Sequence, residues 1–257
     1  MKLAYDVHGP EGAPAVLLLG SLGATRGMWA PQIRVLGDYF RVIAADLRGH
    51  GESPAPVGPY TMPELAADAV ELLDDLGVGA AHVAGLSLGG AVAQTLALEH
   101  PDRVRSLALM STAPKFGETD AWLDKAELVG REGTGALADT VVRNWFTDAC
   151  FARTPELPAS YSEGIACTSD DGYAGCCHAI AGFDSRDRLP AVEERIRLAT
   201  LVVAGEQDTS TALEVVRGLH ERLDGSRMVT LSPAKHLVNV EQADLVNSTL
   251  AAHWAAH

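Results

Sequence analysis

The sequence predicts an α/β protein with a mostly parallel, doubly wound sheet, interrupted by a helical insert. Three observations predict it. Continuous apolar runs of strand length alternate with segments of helical period; the rhythm stops between about residues 113 and 190; and it resumes at Thr200. Strands covered by helices on both sides read as unbroken apolar runs rather than alternating ones. Right-handed crossovers between parallel strands then distribute the helices over both faces.

The strand runs are 15–20 (AVLLLG), 41–46 (RVIAAD), 81–86 (AHVAGL), 104–110 (VRSLALM) and 200–205 (TLVVAG), with a shorter one at 226–231. Between them, residues 64–76 carry Leu65, Val70, Leu72, Leu73 and Leu76 at helical spacing. Residues 88–99 carry Leu88, Val92, Leu96 and Leu98 in the same way, His220 sits in a further helical pattern, and a last helix starts near Val240. The insert has helical segments and no buried-strand run. It holds all four cysteines (Cys150, Cys167, Cys176, Cys177) together with Trp122 and Trp145. The expected organisation is a core of residues 1–112 and 191–257 with a helical cap of 113–190. Ligands of open α/β sheets bind at the carboxyl ends of the strands, which is where such an insert would sit.

Bulk properties narrow the function classes. A chain of 257 residues with 47% hydrophobic content suits one large domain with a small insert. The net charge of −14 repels phosphate backbones and anionic membranes, so neither nucleic acid nor a membrane is an expected partner. The first residues, Met1-Lys2-Leu3-Ala4-Tyr5-Asp6, lack the apolar core of a signal peptide, and no apolar stretch reaches spanning length. The expected location is the cytoplasm, with reduced thiols. The cysteines lack CxxC-type spacing, so no zinc site is expected.

The run 81–86 leads straight into Gly85-Leu86-Ser87-Leu88-Gly89-Gly90 and then into a helix. This is G-x-S-x-G in the strand–turn–helix setting that lifts a serine above a sheet. It makes Ser87 the candidate nucleophile and puts the Leu88 N–H at a helix N-terminus, facing developing negative charge. A serine needs a base, and in this arrangement the chain order is serine, acid, histidine. His8, His50, His82 and His100 fall in the wrong place for that order, and His178 falls in the insert. His236, in the loop after 226–231, is the candidate base. Asp208 follows the strand 200–205 and is the candidate acid; its position also suits a helix N-cap. The loop Gly20-Ser21-Leu22-Gly23 closes the first run and makes the Leu22 N–H the candidate second oxyanion donor. In Asp46-Leu47-Arg48-Gly49-His50-Gly51-Glu52-Ser53, Asp46 and His50 admit a metal reading, but no further ligands lie in range. A structural turn fits better.

With these residues placed, nearly the whole chain resembles the 3-oxoadipate enol-lactonases of the α/β-hydrolase family. The sharper likenesses are Gly20-Ser21-Leu22-Gly23-Ala24-Thr25 with Met28-Trp29, Trp145-Phe146-Thr147, Gly172 to Ile180 (GYAGCCHAI), and His236-Leu237-Val238-Asn239-Val240-Glu241-Gln242. Three departures concern the substrate end. Arg143 is separated from Trp145 by Asn144, where the family commonly has arginine directly before the tryptophan. Thr209-Ser210-Thr211 stands where a proline is frequent, and segment 184–199 looks longer than usual. The resemblance implies a Ser87–His236–Asp208 triad, an acyl-enzyme, a small anionic lactone as substrate, and no metal or cofactor. A carboxylate on the substrate implies a cation or donor set in the pocket, for which Arg26, Arg143 and His178 are the expected residues, each equally compatible with a solvated charge. Trp145 is expected either to line the pocket or to fill the cap. A carboxylesterase, a lactonase of other ring size, a haloperoxidase-like enzyme and a binding-only protein of the same fold remain the alternatives.

Overall fold

The expected runs become strands. In the computed structural model, which describes residues 1–190 and 199–257, β2 (Ala15–Leu19), β3 (Arg41–Ala45), β4 (Ala81–Leu86), β5 (Val104–Met110), β6 (Thr200–Gly205) and β7 (Arg227–Leu231) all form. The sequence reading misses β1 (Tyr5–His8), an exposed edge strand with no apolar run to signal it. The spatial order is β1-β3-β2-β4-β5-β6-β7. Only β1 runs antiparallel, against β3; every other described pair is parallel. The resumption of the core at residue 191, and residues 191–198 of the segment 184–199, lie outside the described residues.

Alternate strand residues feed two cores, one on each face of the sheet. Leu17, Leu19, Ile43, Val83, Leu107, Leu109 and Val202 pack with α2 (Met62–Asp75), α3 (Leu88–Glu99) and α9 (Leu213–His220). Val16, Leu18, Val42, Ala84, Leu86 and Val203 pack on the other face with α1 (Ala30–Leu36) and α11 (Ala243–Ala255). Burial of both faces is the reason these strands are continuously apolar. Helix α2 starts two residues before the apolar period does. Thr61 caps it, taking the Glu64 N–H at 3.4 Å, while Glu64 takes the Thr61 N–H at 2.8 Å, the reciprocal pair of a capping box.

Between β5 and β6 the chain forms α4 (Thr119–Glu132), α5 (Ala138–Trp145), α6 (Asp148–Arg153), α7 (Leu157–Ala166) and α8 (Asp170–Ala181), with no strand among the described residues. Helix α8 meets the core backbone to backbone. A Cβ on Gly172 would stand 2.4 Å from the Gly49 α-carbon, a contact only two glycines permit. The Tyr60 N–H donates to Gly175 O across the same seam at 3.3 Å. A second seam closes from the other side. Glu241, in the short helix α10 (Val238–Glu241), accepts the Thr147 N–H at 3.0 Å and the Lys235 N–H at 2.9 Å, and Leu237 N–H donates to Trp145 O at 3.2 Å. Thus Trp145-Phe146-Thr147 of the insert and the segment after His236 are tied together by backbone. No helix among the described residues is long and apolar enough to cross a membrane.

Candidate active site

Ser87 occupies the sharp turn from β4 into α3 with φ +56° and ψ −115°, a conformation a non-glycine residue adopts only when its surroundings enforce it. They do so from three sides. Ser87 N–H donates to Met110 O at 3.0 Å, Thr112 Oγ1 donates to Ser87 O at 2.8 Å, and Gly89 N–H donates to Gly20 O at 2.9 Å. A Cβ on Gly89 would lie 2.1 Å from Leu19 O, so the helix can start this close to β2 only with glycine there. The result is a half-buried hydroxyl held at the carboxyl end of the central strands.

His236 and Asp208 arrive from the loops after β7 and β6. His236 Nδ1 lies 2.8 Å from Asp208 Oδ2, with both side chains almost fully buried. Asp208 is locked in turn: Oδ1 accepts the Ser210 and Thr211 amides at 2.8 and 3.1 Å, and Oδ2 accepts Thr211 Oγ1 at 2.7 Å. Burial pushes the Asp208 carboxyl up, but the charge and hydrogen bond of His236 and the Thr211 donors outweigh it and hold the group below its ordinary value. The carboxylate therefore stays charged beside the His236 ring. Thr211 went unread in the sequence. Its signal is the Asp-x-x-Thr spacing, a side-chain cap for the turn that stands where the family often has proline.

Ser87, His236, Leu22 and Ser21 line one cavity of about 220 Å³. Among the described residues neither the Leu22 nor the Leu88 N–H donates to another protein group, so both amides flanking the elbow remain available to an oxyanion. The roof is made by Phe116, Trp122, Lys125, Val141, Asn144, Trp145 and Tyr173, all from the segment between β5 and β6.

Comparison with known proteins agrees with this architecture. The α/β-hydrolase fold model matches residues 14–243. The chain belongs to the α/β-hydrolase family. It is 38% identical to 3-oxoadipate enol-lactonase 2 of Acinetobacter baylyi, over 98% of this chain and 92% of that protein. The crystal structure of the enol-lactonase from Burkholderia xenovorans LB400 superposes with a TM-score of 0.94 at 36% identity, covering 98% of this chain and 96% of that one. A protein of Azorhizobium caulinodans named as a carbamate hydrolase, RutD, is 30% identical over 96% of this chain and 93% of its own length. The resemblance to enol-lactonases read from the sequence thus holds, and the chain is a serine hydrolase.

The hydrolase departs from expectation at the substrate end. None of the three expected cations reaches the cavity. Arg26 is held by Asp6 at 2.8 Å and by Asp46 and Glu52, none of which lines the cavity. Arg143 is exposed because α5 presents Val141, Asn144 and Trp145 to the cavity, an i, i+3, i+4 set that turns residue 143 away. His178 is exposed over a separate hollow beside Tyr60 and Arg188. Trp145 does both things expected of it, lining the cavity while packing edge-on against Tyr161 at 5.8 Å.

Among the described residues, the cation that lines the cavity is Lys125, which the sequence reading passed over. Its ammonium lies 4.1 Å from the centre of the Trp122 ring, a cation–π contact between i and i+3 on α4. Trp122 is itself fixed, its Nε1–H donating to Phe116 O at 2.7 Å. Burial pulls the Lys125 pKa below the ordinary lysine value. The Trp-x-x-Lys spacing in a predicted helical cap was the available signal. Asp46 and His50 both accept backbone amides of the loop after β2.

Proposed function

We propose that this hydrolase opens 3-oxoadipate enol-lactone to 3-oxoadipate, as a cytoplasmic enzyme of aromatic catabolism. One observation carries the reading: a cavity that holds Ser87 and His236 at its floor also holds a desolvated cation, Lys125, in its roof. In a protein of net charge −14, a half-buried positive group on a cavity wall suits an anionic ligand. The substrate carboxylate supplies one, and the enol-lactonase relatives supply the ring chemistry. Four free cysteines fit a reducing compartment.

In this mechanism Ser87 Oγ attacks the lactone carbonyl while His236 Nε2 takes its proton. The Leu22 and Leu88 amides hold the tetrahedral oxyanion. Collapse breaks the ring C–O bond and releases an enol, which takes the proton back from His236 and tautomerises to the ketone. An enolate leaves more readily than an alkoxide, so the demand on His236 as an acid is modest. Water, deprotonated by His236, then attacks the acyl carbonyl; the ester bond to Ser87 breaks, Ser87 Oγ takes the proton back from His236, and the second carboxylate is freed. Asp208 stabilises the imidazolium in both halves. Lys125 and the Trp122 face receive the carboxylate arm, with Asn144 and Trp145 against the ring. The residues need no metal or cofactor for this chemistry.

The likeness to a protein named as a carbamate hydrolase favours a second substrate class, since the same floor would attack a carbamate carbonyl. Turnover of 3-oxoadipate enol-lactone, a carbamate and p-nitrophenyl acetate by the wild type and Ser87→Ala separates the readings. The lactone should be the preferred substrate, and its turnover should vanish with Ser87. Ester or carbamate turnover without lactone turnover sinks the substrate; lactone turnover that survives Ser87→Ala sinks the mechanism.

A further inference from the structure

The segment Asp46–Ser53 takes no part in the chemistry above, yet Asp46, His50 and Ser53 are almost fully buried. Their partners explain why. His50 Nδ1 lies 3.1 Å from Arg48 O, and a carbonyl can only accept, so Nδ1 carries the proton. Nε2 is then an acceptor, and it takes the Gly23 N–H at 2.8 Å. Burial lowers the imidazole pKa against the opposing pull of the Arg48 carbonyl and the Asp46 charge, which keeps the ring in this neutral form. Three residues further along the same loop, Asp46 Oδ1 accepts the Arg26 N–H at 2.6 Å. Two side chains from the loop after β3 therefore hold two amides of the loop after β2.

The held loop is the one that carries Leu22. Ala24 N–H donates to Ser21 O at 3.0 Å, and Gly23, third of the four residues, has φ +80°, the geometry of a type II turn. Leu22 is the second residue of that turn. The Gly23–His50 bond fixes the peptide on one side of the Leu22 α-carbon and so sets where the Leu22 N–H points on the other. The segment also touches the cap, through the Gly49–Gly172 contact and through Cys176 Sγ, 3.6 Å from Arg48 O.

We infer that His50, seconded by Asp46, is a positioning residue that clamps the Ser21–Ala24 turn so that the Leu22 amide faces the oxyanion formed at Ser87. His50 touches no substrate, since it does not line the cavity. The inference rests on the reading of Ser87 as nucleophile and Leu22 as oxyanion donor. Its chemistry is that of a hydrogen-bond acceptor set at one distance from the backbone, and this makes it separable from a general role in packing.

The test compares His50→Gln, His50→Asn and His50→Leu. Glutamine places an acceptor as many bonds from the backbone as Nε2, asparagine falls one bond short, and leucine has none. Removing an oxyanion donor outright costs about 10²–10³ in kcat, so misaligning one should cost Asn and Leu about 10- to 100-fold in kcat with KM little changed. The Ki of a trifluoromethyl ketone analogue, which forms the oxyanion, should weaken in parallel, while the Kd of the carboxylate product stays within about twofold. Glutamine should restore most of kcat and Ki. Should His50→Leu fail to fold, the Asn–Gln pair, equally polar and differing only in reach, carries the same comparison. Equal losses in Asn and Gln, or a kcat that none of the three changes, would overturn the clamp while Ser87→Ala remained inactive. If Ser87→Ala retains turnover, the nucleophile reading fails first and the clamp with it.

Discussion

The floor and the roof of the cavity are built by different means. Floor residues Ser87, Asp208 and His236 stand at the carboxyl ends of β4, β6 and β7, and each is held by backbone bonds that leave little freedom. Ser87 is trapped between Met110 O and Thr112, Asp208 accepts two amides, and the loop of His236 is tied through Lys235 to Glu241. Roof residues Trp122, Lys125, Val141, Asn144 and Trp145 stand on helix faces, where one turn of rotation decides which side chain enters. Floor geometry comes from the ends of strands and is shared by any chain that folds this way. The roof is tied to the core by backbone at two seams, but which side chains line it is set by the faces that its helices present.

The comparison predicts that floor variants damage kcat and roof variants damage KM. The largest effect belongs to Ser87→Ala, expected to lower kcat by at least about 10⁴-fold, because nucleophile and base act as one unit. Asp208→Asn follows, at about 10³- to 10⁴-fold in kcat, since an amide leaves the imidazolium uncompensated and favours the wrong tautomer. Steady-state kinetics on the lactone and on p-nitrophenyl acetate should show the same loss for both substrates. A floor variant that spared one substrate would break the division.

Lys125→Met should do the opposite. A hydrogen bond to a charged group is worth about 1.5–3 kcal/mol, so KM for the anionic lactone should rise about 10- to 100-fold while turnover of a neutral ester stays within about twofold. The pKa direction sharpens this. Burial lowers the Lys125 pKa, offset in part by nearby Cys177, so the ammonium is lost at lower pH than for an exposed lysine. KM for the anionic substrate should climb there, below pH 10.5. Lys125→Arg, which keeps its charge, should abolish that rise. A KM flat with pH in the wild type would remove Lys125 from the carboxylate site.

The same division explains what could be read in the sequence. The expected positions of Ser87, Asp208 and His236 at strand ends were legible because an apolar run that stops marks where a strand-end loop begins, and each of the three lies within five residues of such a stop. The helical insert was legible as helices, but not as faces. Its weak period did not reveal that α5 turns Asn144 inward and Arg143 outward, nor that Lys125 shares a face with Trp122. Strand β1 was missed because its register with β3 lies at an exposed edge and leaves no apolar trace. Arg26 misled for another reason. It follows the oxyanion loop closely in sequence, but it is held by three carboxylates, none of which lines the cavity. Sequence distance to a catalytic loop says nothing about which side of that loop a long side chain takes.

The smallest expected effects give the strictest check on the roof. Arg143→Ala and His178→Ala remove the two cap cations that resemblance would favour as carboxylate partners. Both side chains are exposed, Arg143 over a hollow on the outer side of α5 and His178 beside Tyr60. Surface changes away from buried contacts alter stability by no more than about 0.5 kcal/mol. Both variants should therefore keep kcat and KM for the lactone within about twofold of the wild type. The pair is informative because an additive long-range field would make all cap cations matter alike, with effects that fade as salt is added. If Arg143→Ala raised KM as Lys125→Met is expected to, and if salt suppressed both effects, carboxylate recognition would be a matter of general field rather than of one desolvated cation. If Lys125→Met alone raised KM, and salt left that rise in place, the cation would be acting at contact distance inside the cavity, on the face α4 presents.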